Sequence, residues 1–338
     1  YVFTSEKFME GANRWLNYGK LRFSWGQNGN RDIGQYAALS NMKTNPLTYI
    51  GTDGTVYTST YIYVNTMANN NLRWERTESY NLGLDFSLFN DIIGGSLEVY
   101  SGTTKDLLVE RSLPSITGFA NVTANLGKLR NKGLELTLNA NIFRQDNFEW
   151  SASSTFSMNR RKIVTLYGDM EDILDGNGNV VGKKESDDPN NEWFIGQDPD
   201  RIWAYERLGV WQLGEEKEAA IYGCKPGDFK YKDQNGDGVM NTEDKVFQGY
   251  KTPRYRWSMR NDFTIHKDFT VSFTMYSYFG HYGAFNEAAN YNSGSPYKFS
   301  SYDMPRWTKD NPTNDYARIS SYNAGTNWVK KSFLRLDN

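Results

Sequence analysis

The sequence predicts an all-β fold, specifically an antiparallel transmembrane β-barrel with long loops on one side of the membrane. Three observations predict it. Apolar and polar residues alternate along many segments, each segment is about ten residues long, and short and long connections follow one another in turn. The composition agrees, because Phe, Trp and Tyr make up 15% of the 338 residues, a level suited to strands.

The alternation is clearest in residues 78–89, 134–143 and 268–279. Successive side chains of a strand point to opposite faces, so these segments carry one apolar and one polar face. A soluble β-sandwich or water-soluble barrel shows the same alternation. In a membrane barrel the apolar face contacts lipid, and on that basis we expect eight side chains to face lipid: Leu82, Leu84, Phe86, Leu134, Leu136, Leu138, Val271 and Phe273.

The connections favour the membrane barrel over the soluble alternatives. Tight turns are expected at three places: 89–95, 144–147 and 266–268. Long polar stretches follow Leu108, Tyr167 and His281. An outer-membrane barrel has short periplasmic turns and long extracellular loops, so its short and long connections alternate. The connections of a β-sandwich are not expected to alternate in this way.

If the turn at 144–147 lies in the periplasm, strand direction places both ends of residues 167–253 on the outer side. Within this stretch, residues 201–212 and 228–232 have the composition of strands. We interpret them as a hairpin inside one large extracellular excursion. An additional pair of barrel strands is the alternative.

Residues 233–244, DQNGDGVMNTED, follow the twelve-residue pattern of a calcium loop, although their surroundings are not helical. Gly238 stands at position 6, where such a loop turns sharply. The alternative is an Asn-, Gly- and Asp-rich turn without metal. The pattern predicts a structural Ca²⁺ held by six residues: Asp233, Asn235, Asp237 and Asp244 through side-chain oxygens, Val239 through its carbonyl, and Asn241 directly or through water.

Charge and motifs exclude several other functions. The net charge is −2, so the chain has no basic excess to neutralise the phosphates of a nucleic acid. His266 and His281 are the only histidines, and no nucleophile motif or P-loop is present, so no catalytic residue is expected. Cys224 stands alone, which excludes a disulfide framework. No apolar run is long enough for a transmembrane helix.

The aromatic segment 282–307 is a candidate substrate surface, because Tyr, Phe and Trp stand there among Asn and Ser. Self-packing of a long loop is the alternative. No leader peptide is recognised at Tyr1, so we expect either a mature chain or a fragment.

An ordered series of motifs resembles the C-terminal portion of SusC/RagA-type TonB-dependent outer-membrane transporters of Bacteroidetes. The resemblance spans nearly the whole chain, and the motifs are weak singly but specific as a set. They are KLRFSWGQNGN (20–30), NLRWERTESYNLGLDFSLFN (71–90), YSGTTKDLLVERSLPSITGF (100–119), NLGKLRNKGLELTLNANI (125–142), WSASSTFSMNRRKI (150–163), KPGDFKYKDQNGDGVMNTEDKVFQG (225–249), PRYRWSMRNDFTIHKDFTVSFTMYSYFG (253–280) and SFLRLDN (332–338).

The resemblance implies a barrel of about 22 strands with an N-terminal plug. It also implies a SusD-type surface lipoprotein as a lid, and energy from the TonB–ExbB–ExbD complex. Residues 1–338 would then be one C-terminal barrel portion in the outer membrane, without the plug and the last strands. Because a barrel spans lipid only when closed, this portion needs the missing parts to work.

The function expected from the resemblance is active import of oligomeric nutrients, either glycans or peptides. A passive porin or a surface adhesion barrel is the alternative, and both lack energy coupling. A soluble β-rich binding module is a third interpretation, and it requires the protein to be absent from outer-membrane extracts.

Overall fold

The structure, a computed structural model, describes residues 1–12, 14–30, 38–113, 115–119, 121–284, 305–319, 321 and 328–337. Strands form most of its regular backbone. The first eleven are β1 (Leu16–Asn30), β2 (Asn41–Ile50), β3 (Val56–Thr66), β4 (Glu75–Leu88), β5 (Ile93–Lys105), β6 (Leu108–Ser112), β7 (Asn121–Asn125), β8 (Lys128–Gln145), β9 (Phe148–Thr165), β10 (Met170–Leu174) and β11 (Val180–Glu185).

Nine further strands follow in the C-terminal part. They are β12 (Arg201–Tyr205), β13 (Arg207–Val210), β14 (Phe229–Tyr231), β15 (Lys245–Tyr250), β16 (Tyr255–Ile265), β17 (Phe269–Phe279), β18 (Tyr282–Ala284), β19 (Trp328–Lys330) and β20 (Phe333–Asp337). The helices of the described residues are α1 (Glu216–Ile221) and short 3₁₀ turns at Phe3–Ser5, Lys7–Ala12, Ser115–Thr117 and Thr242–Asp244. None of these helices is long and apolar enough to cross a membrane.

One sheet dominates the fold. Eight strands hydrogen-bond in the order β1-β4-β5-β8-β9-β16-β17-β20, and the remaining strands form two-stranded sheets. The chain divides into two compact units, residues 1–138 with 159–199 and residues 139–158 with 200–338. Within each unit the registered strand pairs of the large sheet are antiparallel.

Short and long connections alternate along the large sheet, as predicted. The turn from β4 to β5 uses Phe89, Asn90 and Asp91 in the left-handed region, with φ of 55°, 56° and 63°, and the turn from β16 to β17 uses His266 and Lys267 in the same region. Asp146 and Asn147 connect β8 to β9. The long connections cover residues 31–74, 106–127, 166–254 and 280–332.

In the first unit, one sheet face is apolar. Leu84 of β4 is paired with Leu21 of β1 on one side and with Leu97 of β5 on the other. The side chains on this face are not covered by a second layer of the described residues, since Phe23 of β1 remains 70% exposed. Such a face needs an apolar environment.

The second unit has a matching apolar face. Phe263 of β16 is paired with Trp150 of β9 and Val271 of β17, and the Trp150 and Phe263 rings stack at 5.6 Å. Val271 remains 51% exposed. Asn261 lies on this face too, where its Oδ1 accepts a hydrogen bond from Trp150 Nε1 at 3.2 Å. A polar side chain on an apolar face is thereby satisfied by an aromatic neighbour.

The structure therefore confirms the predicted faces on the strands whose register it defines. Leu82, Leu84 and Phe86 share one face of β4, and Val271 and Phe273 share one face of β17. The three predicted leucines of β8 are two residues apart and so also share a face: Leu134, Leu136 and Leu138. These side chains do not form the sealed two-sheet core of a soluble sandwich.

The excursion between β9 and β16 adds no strand to the large sheet, because β9 and β16 are direct neighbours there. The alternative of an additional barrel pair in residues 201–232 is thus wrong. The hairpin interpretation is correct in part: β13 pairs with β14, but β12 pairs with β15 instead.

A small core lies in the part of the excursion that belongs to the second unit. Val210 of β13 and Phe229 of β14 pack with Trp307 and Ala317, and all four side chains are buried. Beside them Arg318 Nε donates to Asp228 Oδ1 at 2.9 Å. Residues 305–319 are therefore anchored to the excursion by apolar burial and an ion pair that is largely shielded from water.

Candidate functional site

The predicted calcium loop follows a strand, as expected. It begins two residues after β14 and ends at the start of β15, with a 3₁₀ turn at Thr242–Asp244 inside it. Gly236 and Gly238 have φ of 75° and 80°, which glycine adopts without a steric penalty. Gly238 thus provides the sharp turn that the pattern predicted at position 6, and Gly236 adds a second left-handed residue that was not predicted.

Asp233 organises the first half of the loop. Its Oδ1 accepts the amide of Gly236 at 2.6 Å, and its Oδ2 accepts the amide of Gly238 at 2.8 Å and the hydroxyl of Tyr222 at 3.2 Å. The Gly238 amide is the main reason that the pKa of Asp233 is lowered from its usual value. The carboxylate is therefore held ionised, which is the form that binds a cation.

Asp244 organises the second half, and its side chain is fully buried. Its Oδ1 accepts the amide of Gln234 at 2.8 Å and its Oδ2 accepts the amide of Asn241 at 2.8 Å. The Asn241 side chain in turn accepts the amide of Glu243 at 2.7 Å, which completes a capping box around the 3₁₀ turn.

The remaining predicted ligands bond to one another. Asn235 Oδ1 accepts the amide of Asp237 at 3.0 Å, and Asp237 Oδ1 accepts the amide of Val239 at 2.8 Å. In the part of the chain that the structure describes, no group of three or more His, Cys, Asp and Glu side chains is arranged to hold a metal ion. The oxygen donors have the chemistry that Ca²⁺ prefers, and Ca²⁺ binding by the loop stays a prediction.

A charged cluster on the polar face of the large sheet was not identified from the sequence. Arg22 of β1 contacts Asp85 Oδ1 at 2.7 Å and Glu98 Oε1 at 2.8 Å, and Asn81 donates to Glu98 at 3.0 Å. One arginine thereby joins three strands. Even-numbered residues of β1 around Arg22 point to the polar face, so alternation places Arg22 there. Only the strand order shows which carboxylates lie beside it.

Among the described residues, neither histidine ring is hydrogen-bonded to a Ser, Thr or Cys side chain. His266 forms part of the β16–β17 turn, where its amide donates to the carbonyl of Asn147 at 2.8 Å. His281 follows β17, and burial lowers its pKa from the usual value. Of the aromatic segment 282–307, residues 285–304 lie outside the described residues. Trp307 belongs to the buried core, where its Nε1 donates to Gln212 at 2.9 Å.

Comparison with known proteins agrees with this architecture. Residues 11–191 match the family described as "TonB dependent receptor-like, beta-barrel". In the solved "Structure of the RagAB peptide transporter", one chain superposes on 99% of this chain with a TM-score of 0.70 at 20% identity, and 35% of that chain is covered. This structural likeness shows the fold.

Two curated relatives carry the same family name. TonB-dependent receptor P26 of Formosa agariphila is 32% identical over 304 residues, 88% of this chain and 29% of the relative. TonB-dependent receptor SusC of Bacteroides thetaiotaomicron is 30% identical over 254 residues, 73% of this chain and 23% of the relative. The chain thus spans less than a third of the length of these relatives. The TonB-dependent receptor family is a family of outer-membrane proteins and not of enzymes. The chain belongs to the TonB-dependent receptor-like β-barrel family and lies in the outer membrane.

Proposed function

We propose that this chain forms part of the barrel of a SusC-like, TonB-dependent importer that takes oligomeric nutrients across the outer membrane. The observation that carries the proposal is the two-faced antiparallel sheet in a chain of this receptor family. The uncovered apolar face contacts lipid, and the polar face with Arg22, Asp85 and Glu98 lines the lumen. The long connections lie outside the cell.

The partners follow from the same proposal. A SusD-like surface lipoprotein covers the outer opening, and the TonB–ExbB–ExbD complex supplies energy through a part of the receptor that lies outside this chain. The substrate is an oligomer, a glycan or a peptide. The solved relative named RagAB is described as a peptide transporter, which supports the peptide class.

Uptake by the full-length receptor in its own bacterium tests the proposal. Cells that express the receptor are given fluorescent oligosaccharides and peptides, and uptake is measured with and without a functional TonB. Active import predicts accumulation that is lost without TonB. Accumulation that persists without TonB would support a passive porin, and adhesion without accumulation would support a surface adhesin.

We also propose that residues 233–244 bind one Ca²⁺ in a structural role. Its support is the oxygen-donor pattern and the ionised Asp233 beside left-handed glycines. Calorimetric titration of the full-length receptor with Ca²⁺ after chelation tests it, with a dissociation constant of about 10⁻⁴–10⁻³ M expected for an extracellular site. No heat above that of a variant carrying both Asp233→Asn and Asp237→Asn would contradict it.

A further inference from the structure

An apolar cavity of about 160 Å³ lies in the first unit, beside the start of β8 and the end of β9. One wall comes from β6 and the residue preceding it. The others come from the start of β8, the end of β9 and the segment that follows β11. The lining residues are Leu107, Val109, Gly127, Lys128, Leu129, Ile163, Thr165, Leu166, Tyr167, Trp193 and Pro199.

Backbone hydrogen bonds fix the walls of this cavity. The amide of Ile163 donates to Gln197 at 2.9 Å and the carbonyl of Ile163 accepts the amide of Gly196 at 2.9 Å, so the segment after β11 lies along β9. Gly127 has φ of 82°, and a Cβ there would lie only 3.0 Å from the carbonyl oxygen of Thr165. The cavity is thus built into the fold.

Strand alternation places the cavity on the polar face of the sheet. Leu129 and Gly133 are four residues apart on β8 and share a face. A Cβ on Gly133 would overlap the ring of Tyr100, and Tyr100 and Glu98 share the polar face of β5. Leu129 therefore turns toward the face that the proposed function assigns to the lumen, where a substrate passes.

The lining offers few polar partners. The hydroxyl of Tyr167 donates to Asp188 at 2.6 Å, and Arg111, which lies over the Tyr167 ring, is paired with Asp169 at 2.6 Å. Sugar hydroxyls placed here would lose more hydrogen bonds to water than this mostly apolar lining could replace. An aliphatic or phenyl group would gain from burial, and a dry cavity of roughly 150 Å³ is known to hold benzene.

Lys128 supplies a charge at the edge of the cavity. It lines the cavity, its side chain is exposed, and it forms no ion pair with a described residue. A cation beside a cavity of side-chain size complements an apolar group that has a carboxylate next to it. The C-terminal residue of a peptide has this chemistry when its side chain is aliphatic or aromatic.

We propose that this cavity binds the C-terminal apolar residue of a peptide, with the side chain in the cavity and the carboxylate beside Lys128. The proposal rests on the import function proposed above and narrows its substrate class. Peptides that end in leucine or phenylalanine are then preferred over peptides with polar ends and over unsubstituted glycans.

Fluorescence anisotropy with the full-length receptor in detergent tests the preference. The probes are fluorescein-labelled glycine–serine hexapeptides that end in leucine, in serine, or in leucine with an amidated terminus. The leucine acid should bind about tenfold or more tightly than the serine acid, because burial of a leucine side chain is worth about that factor. Amidation should weaken binding severalfold. Equal binding of the leucine and serine acids would overturn the proposal.

Two variants and one control variant locate the effect. Val109→Trp fills the cavity and should abolish the preference for leucine over serine, whereas Val181→Trp, at a valine that is 63% exposed on β11, should preserve it. Lys128→Gln should abolish only the preference for the acid over the amide. Variants are first checked for the heat-dependent gel mobility of a folded barrel, and if Val109→Trp fails this check the wild-type peptide series decides.

The outcomes separate this proposal from the proposed function. TonB-dependent uptake with no preference for leucine ends would overturn the cavity proposal and leave import standing. A preference in the binding assay without TonB-dependent uptake would support the cavity and contradict import. If Val109→Trp keeps the peptide preference but loses co-purification of the lipoprotein lid, the cavity holds a side chain of that lid and the proposal is wrong.

Discussion

The large sheet and the excursion between β9 and β16 bury their apolar residues in opposite ways. On the sheet, Leu84 lies between Leu21 and Leu97 on a face that the described residues leave uncovered. In the excursion, Phe229 is 1% exposed in a core closed by Trp307. One element is adapted to lipid and the other to water, although a single chain forms both.

The difference shows that the alternation of apolar residues along a strand does not by itself tell whether their face is buried inside the protein. A strand of the sheet needs only period two, because the lipid supplies the apolar surroundings. The excursion has short strands with little alternation, and it depends on contacts between residues far apart in sequence, such as Asp228 and Arg318. Stability of the excursion is therefore expected to be independent of the sheet.

The largest expected effect tests that independence. Phe229→Ala should destabilise the excursion by about 3–5 kcal/mol, since it removes a buried aromatic side chain. Hydrogen exchange of residues 207–231 should become faster while the heat-dependent gel mobility of the barrel stays unchanged. Phe247→Ala is the matched control, because Phe247 is 45% exposed on β15, and it should cost about 1 kcal/mol or less. Loss of the folded barrel in Phe229→Ala would contradict the comparison.

The second effect concerns the two faces of the sheet. Phe273→Arg should destabilise the folded barrel by about 2–4 kcal/mol, because it places a charge on the lipid-facing side. Ser272→Arg is the matched control, since the neighbouring residue points to the polar face opposite Asp262. Denaturant unfolding in lipid vesicles measures both. Equal costs for the two variants would show that the faces are assigned wrongly.

A third effect appears at high pH in the excursion. Burial and the bond to Asp188 raise the pKa of Tyr167 to about 12. The unfolded chain loses this proton near pH 10, so the folded state binds more protons between these values and its stability falls as pH rises from about 10. Hydrogen exchange measures the local opening of residues 167–193. The free energy of this opening should be on the order of 1 kcal/mol lower at pH 11.5 than at pH 9, after allowance for solvent screening. Tyr167→Phe should remove this slope, and an unchanged slope would contradict the assignment.

The smallest effect concerns the calcium loop. Asp237→Ala should raise protease cleavage within residues 233–244 in the presence of Ca²⁺ and leave the barrel intact, because Asp237 lies on the loop surface and bonds only within the loop. The wild-type receptor treated with a chelator should show the same increase. Val181→Ala, at an exposed position of β11 outside the calcium loop, serves as the control. Cleavage that responds neither to the variant nor to the chelator would refute a structural metal.

Local sequence patterns were sufficient to predict the strands of the large sheet and the outline of the calcium loop. Leu82, Leu84 and Phe86 alternate strictly, so their shared face followed from the pleat alone. The turns at 144–147 and 266–268 followed from their polar composition and the flanking strands. The acidic positions of residues 233–244 followed from spacing, and so did the need for a left-handed residue at Gly238.

Other features depended on the pairing of distant residues. The sequence alone indicated strands in 201–232 but not that β12 pairs with β15, because short strands with weak alternation do not specify their register. The charged cluster around Arg22 required the order of β1, β4 and β5. The cavity beside Lys128 required four segments to meet. The sequence by itself determined the strands, their faces and the short turns, since these depend on neighbours along the chain. The tertiary structure decided the excursion, the charged cluster and the cavity, since these depend on contacts between residues far apart in the chain. Which of those contacts form is set by the burial and hydrogen-bond energies of the whole fold.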